Sequence, residues 1–238
     1  MGSVAQSLRK LFRGGSSSSG SEPGSARPAR AQERPSRRSS GLGELTRALA
    51  GRESLCVLDV GPTSPDNIQH FTDLGYKVYS EDVLLASKDA QYLGSDADGK
   101  PVVDEKRFLS ENLSYEPHSF DAVLCWDMAD YMDESLVKPV VARMWSVLKP
   151  GGLVLAFFHT KDAGPDAPFF RYHISGKDNI ELQLLSGGSN RNGSSERAPS
   201  WRLQRVFNNR HIENLFRDYA NIKFFLARDN VREVLVTR

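Results

Sequence analysis

From Leu42 onward the apolar positions of this chain change period several times, and each change marks an element. In LGELTRALAGR the spacing of Leu42, Leu45 and Leu49 puts three leucines on one side of a short helix. SLCVLDVG is an apolar run rich in branched residues and closed by glycine, as expected of a strand buried on both faces. In SPDNIQHFTDLG, Ser64 stands at an N-cap and Pro65 at the first helical position. Ile68, Phe71 and Leu74 share a face, and Gly75 ends the helix. YKVYSED predicts a second strand, and residues 83–106 keep no clear period apart from a turn at DADGKP. FDAVLCWDM predicts another strand, and DESLVKPVVARMWSVL a helix that Pro139 should kink near its first turns. LKPGG stops that helix before the strand LVLAFFHT. FFRYHISGKDNIELQLL then reads as a strand pair, GGSNRNGSSERAPS as a loop and NNRHIENLFRDY as a helix. NIKFFLAR and VREVLVTR follow with almost nothing between them, which forces antiparallel pairing. Strands alternating with helices predict a doubly wound α/β sheet, whose ligand crevice lies beyond the C-terminal ends of its strands.

Composition separates a tail from this body. Residues 14–41 are small, polar, proline-rich and basic, with no large apolar side chain, so a disordered tail over 1–41 and one domain over 42–238 are expected. Near its start, Val4, Leu8, Leu11 and Phe12 fall at helical spacing beside Arg9, Lys10 and Arg13. Residues 4–13 are therefore either an unstructured terminus or a weak amphipathic helix for an anionic membrane surface. Gly2 does not complete a myristoylation motif, because Gln6 stands where serine or threonine is required. The first 40 residues carry eight basic and two acidic side chains, the remaining 198 carry 23 and 28, and a mildly acidic body gives no strong nucleic-acid signal. Trp201, Arg202 and Arg205 form a small basic-aromatic cluster that an ordinary solvated edge explains. Two cysteines inside apolar runs exclude a disulfide scaffold, and five scattered histidines make a metal site improbable. The sequence has neither an apolar stretch long enough to span a membrane nor a secretory apolar core, so the expected location is cytoplasmic.

The order of segments over residues 42–238 resembles the class I S-adenosylmethionine-dependent methyltransferases, type 11-like. VLDVG, the strand ending in Glu81-Asp82, SFDAVLCWDMADYM and RMWSVLKPGGLVLAFF carry the resemblance. It implies a Rossmann-like, mostly parallel seven-stranded sheet ending in an antiparallel hairpin, S-adenosylmethionine as cofactor, and methyl transfer to an acceptor, a small molecule. It also implies cofactor contacts from Asp59, Gly61, Thr63, Ser64, Glu81, Asp82 and Trp126. Gly61 has no Cβ and lets backbone approach a ligand, the helix after it offers N–H groups to an anion, and Asp82 or Glu81 stands where an acid holds ribose hydroxyls. The chain departs from the family pattern at Thr63 and Pro65, where glycines are usual, and at Leu109, which stands where an acid often reads the adenine and has Glu111 as a neighbouring substitute. These departures favour the alternative, a catalytically inactive methyltransferase-like scaffold with a binding or regulatory role. A nicotinamide oxidoreductase fits less well, since Thr63 and Asp66 replace two of the three glycines it needs.

Methyl transfer asks the protein mainly to position and desolvate, with a base only for a hydroxyl or protonated-amine acceptor. Asp127, in the loop after the strand FDAVLCW, and His159, at the end of LVLAFFH, are the catalytic candidates. Tyr131, Phe170, Tyr172 and His173 either wall an acceptor pocket or pack under a long loop.

Overall fold

The computed structural model describes residues 34–95, 98–99, 101–161, 167–186, 201–226 and 229–238. The expectations for the N-terminal tail up to residue 33, including the amphipathic segment 4–13, lie outside the described residues. The main sheet is built from Cys56–Asp59 (β2), Lys77–Ser80 (β3), Phe120–Trp126 (β6), Leu148–His159 (β7), Asn221–Leu226 (β10) and Val231–Thr237 (β11), in the order β10-β11-β7-β6-β2-β3. Strands β3, β2, β6 and β7 run parallel, and β11 and β10 close the other edge antiparallel. The Rossmann-like class and terminal hairpin are therefore those expected, but among the described residues the sheet has six strands and not seven. The segment between β3 and β6 is used otherwise. It folds into the short helix Val83–Ala86 (α3), a 3-10 turn, the two-stranded hairpin Leu93–Ser95 (β4) with Pro101–Val103 (β5), and the helix Glu105–Asn112 (α4). Strand β3 is left as the edge of the sheet.

Helices cover both faces. On one face lie Ser40–Leu49 (α1), which buries Leu42, Leu45 and Leu49, and Pro65–Asp73 (α2), which buries Asn67 and Phe71. On the other lie α4, Met128–Tyr131 (α5), Glu134–Val147 (α6) and Asn209–Leu215 (α7). Helix α6 contains Pro139 and buries Leu136, Val137, Val140, Val141, Met144 and Val147. All seven residues of β6 are buried, as a central parallel strand requires. Its side chains alternate between two apolar clusters, Phe120, Val123 and Cys125 on the α6 face and Ala122, Leu124 and Trp126 on the α1 face.

A second, three-stranded sheet corrects the expected boundary at residue 41. Ser36–Arg38 (β1) pairs antiparallel with Asn179–Ser186 (β9), which pairs with Phe169–Ile174 (β8). Residues 34–41, assigned by composition to the disordered tail, thus lie in the fold. The cause is charge, invisible to an apolar count. Arg37 bonds Glu233 and lies 2.6 Å from Asp229, while Ser39 Oγ and the Gly41 N–H donate to Glu233 at 3.0 and 2.6 Å. Glu233 is only 1% exposed, so the segment supplies the donors that a buried carboxylate needs. Ser39 also caps α1, its Oγ accepting from the Leu42 N–H at 3.1 Å.

Candidate functional site

The C-terminal ends of β2, β3, β6 and β7 meet at the edge where a doubly wound sheet holds its ligand. Asp59 ends β2 and is buried, and three donors satisfy its carboxylate: the Gly61 N–H at 3.2 Å, Asn67 Nδ2 at 3.0 Å and Trp126 Nε1 at 2.8 Å. Burial pushes the Asp59 pKa up, and these hydrogen bonds pull against it. Asn67 is a tie-point that sequence reading missed. Its Nδ2 also donates to the Tyr172 carbonyl, and its Oδ1 accepts from the Ile174 N–H at 2.8 Å, which fastens α2 to β8. Ser64 caps α2, accepting from the Asn67 N–H at 3.2 Å, and its hydroxyl lies 2.9 Å from His173 Nδ1. Asp66, in the first turn, is engaged by Arg34 at 2.7 Å and by His173 at 2.9 Å.

Trp126 occupies the face of Gly61. A Cβ built on Gly61 would stand 2.5 Å from Trp126 Cδ1. The indole stacks on Tyr172 at 5.2 Å and 12°, meets Phe157 edge-on at 5.3 Å, and is buried. Its backbone sits at φ 48°, a left-handed conformation unusual for a bulky residue, just past a register shift between Leu124 and Trp126.

At the next strand end the backbone N–H of Glu81 donates to the Asp59 carbonyl at 2.8 Å, so the two strand ends adjoin. Tyr115 Oη donates to Glu81 Oε1 at 2.6 Å. Asp82 caps α3 through the Leu85 N–H at 2.9 Å, and burial raises its pKa against that bond and Arg171. Thr63 Oγ1 and Ser80 Oγ are 2.9 Å apart. Glu111 is taken up by Arg107 of α4 and by the hydroxyl of Tyr92 in the 3-10 turn, both at 2.9 Å, and so is not free beside Leu109.

The two catalytic candidates come together on the ends of β6 and β7, with a second acid bonded to His159. Asp130, fully buried on α5, accepts at Oδ2 from the His159 N–H at 2.6 Å and lies 2.8 Å from His159 Nδ1, while its Oδ1 has no partner. Asp127, also buried, makes no cap bond to α5 and accepts from the Tyr172 hydroxyl at 2.8 Å. Burial raises the Asp127 pKa to about 6, against the pull of His159 and Tyr172. Burial also raises Asp130. At His159 burial opposes the imidazolium, but Asp130 and Asp127 outweigh it and the net shift is upward. Tyr131 meets the His159 ring edge-on at 5.7 Å, and Trp201 packs on Phe169 in the core and not on a solvated edge. Asp130 was missed in the sequence although it stands three residues after Asp127, a spacing that puts both on one helical turn.

The methyltransferase domain family matches residues 32–221, and the chain belongs to it. Its relatives among solved structures are remote. They include the 1,6-didemethyltoxoflavin-N1-methyltransferase of Burkholderia thailandensis with bound 1,6-didemethyltoxoflavin and S-adenosylhomocysteine, at 13% identity over 83% of this chain and 76% of that one, with a TM-score of 0.47. A Pyrococcus horikoshii protein matches at 15% identity over 82% and 88%, TM-score 0.46. A methyltransferase of Archaeoglobus fulgidus dependent on S-adenosylmethionine matches at 10% over 83% and 91%, TM-score 0.46. No curated protein matches the chain. The cofactor that goes with the family is S-adenosylmethionine, and the residues suit it in kind: a glycine without a Cβ at one strand end and two carboxylates at the next. The face of Gly61 is filled by the protein's own indole, so room at that point depends on where Trp126 stands.

Proposed function

We propose that this chain transfers a methyl group from S-adenosylmethionine to a small-molecule acceptor. The observation that carries this reading is the buried Asp127–Asp130–His159 cluster on the strand ends that adjoin the glycine bend. The cofactor supplies an electrophilic methyl group when bound. The chain's part is to present Glu81 and Asp82 as hydroxyl acceptors and to keep water from the reacting groups. With Nδ1–H donated to Asp130, His159 keeps Nε2 as a proton acceptor, which suits an acceptor that must lose a proton as it is methylated. Asp127 acts beside it as a second proton site near neutral pH. A small acceptor is favoured because the three polar groups are each 9% exposed or less, out of reach of a bulky surface.

A second reading has its own observation: the Asp59 carboxylate takes three donors from within and the indole lies on Gly61, as in a scaffold that no longer takes the cofactor. Thermal melting with S-adenosylhomocysteine separates the two. At about 100 times its dissociation constant the ligand adds about 2.7 kcal/mol to an enzyme that binds it, a rise of several degrees. No rise at millimolar ligand favours the scaffold.

A further inference from the structure

We infer that the Trp126 side chain is a built-in occupant of the cofactor crevice, which leaves Asp59 and Gly61 when S-adenosylmethionine enters. The inference rests on the methyltransferase reading and adds a competition that the reading does not require. Three features of Trp126 carry it.

The first is place. The ring covers the face of Gly61, the one position in the bend where a missing Cβ gives room, and its Nε1 takes an oxygen of Asp59. The second is stored strain. A tryptophan at φ 48°, beyond a break in the β6–β7 register, is held in a conformation that costs an L-residue free energy, and such residues persist only where their surroundings hold them. The third is the nature of the hold. One hydrogen bond, one ring stack on Tyr172, one edge contact with Phe157 and burial in the α1-face apolar cluster fix the indole. No covalent or ionic link does, so a ligand with its own polar contacts can outcompete it. A bound-ready site and a filled one then differ by a single side chain. Affinity measured on the free protein is lowered by the fraction of molecules whose crevice is open.

Displacement would also reach the candidate acceptor site. Tyr172 lies against the indole with one face and donates to Asp127 with its hydroxyl. Moving the ring frees Tyr172 on that side and loosens its hold on Asp127, so cofactor entry prepares the acceptor side.

The experiment uses the full chain and S-adenosylhomocysteine as probe. The chain has three tryptophans, so 5-fluorotryptophan labelling gives three fluorine resonances, with Trp126 assigned from the W126F variant. Titration should move the Trp126 resonance and leave those of Trp145 and Trp201 nearly in place. By calorimetry W126A should bind at least tenfold more tightly than wild type. If W126A does not fold, the wild-type resonance and the affinity of W126F decide. Equal affinities with an unmoved Trp126 resonance would overturn the displacement while leaving the methyltransferase reading intact. Weaker binding by W126A would make Trp126 a contact and overturn it as well. Failure of wild type and W126A alike to bind would overturn both readings.

Discussion

At the scale of single residues the candidate site is a set of buried polar groups whose partners are mostly internal. Asp59 is the clearest case: placed by sequence under a cofactor, it takes donors from Gly61, Asn67 and Trp126. The sequence shows the acid at the strand end because VLDVG is a local pattern. It does not show these donors, because Asn67 and Trp126 reach Asp59 from other elements. Asp127 differs, since burial leaves it a proton site that titrates at about pH 6. A folded pKa raised above the unfolded value of about 3.9 adds stability that is complete below about pH 4 and gone above about pH 6, because only the folded state keeps the proton between them. We expect Asp127→Asn, which lacks this titration, to gain on wild type as pH rises from 4 to 7, by on the order of 3 kcal/mol. Urea midpoints of both proteins at the two pH values measure it, and a constant difference would mean that Asp127 is not held protonated by the fold.

At the scale of elements, strands and helices with a clean period were legible: β2, α1, α2, β6, α6, β7 and the β10–β11 hairpin all follow the apolar pattern that predicts them. Two segments were not. The described residues of 83–106 form short pieces held by caps at Asp82, Asp89 and Asp104, and such pieces leave no period to read. Residues 34–41 have a disordered composition yet join the fold through Arg37 and Ser39, because a buried carboxylate on β11 recruits them across nearly the full length of the chain. Removing the guanidinium leaves Glu233 buried with only the Ser39 and Gly41 donors. We expect Arg37→Ala to cost about 3 kcal/mol, as losing one partner of a buried pair does. Adding Glu233→Gln should return part of that cost. Denaturant melts of the single and double variants test both statements, and an Arg37→Ala protein as stable as wild type would show that β1 does not depend on this pair.

At the scale of the molecule, the strand ends of the main sheet are covered from two sides. The β8–β9 hairpin, with β1 paired to it, brings Tyr172 and His173 over α2. The indole of Trp126 closes the glycine bend beneath. The fold class and the strand ends that form the site were readable because the parallel strands carry their own signal. The filling of the crevice was not, since it depends on one rotamer and one backbone angle at a position that sequence reading assigned to the cofactor. On the proposed reading S-adenosylmethionine binds where that indole lies. A crystal structure of the full chain with S-adenosylhomocysteine tests this most directly. Ligand density is expected against Gly61, with Trp126 Nε1 withdrawn from Asp59. Ligand bound elsewhere, or an indole still on Asp59 at full occupancy, would contradict it.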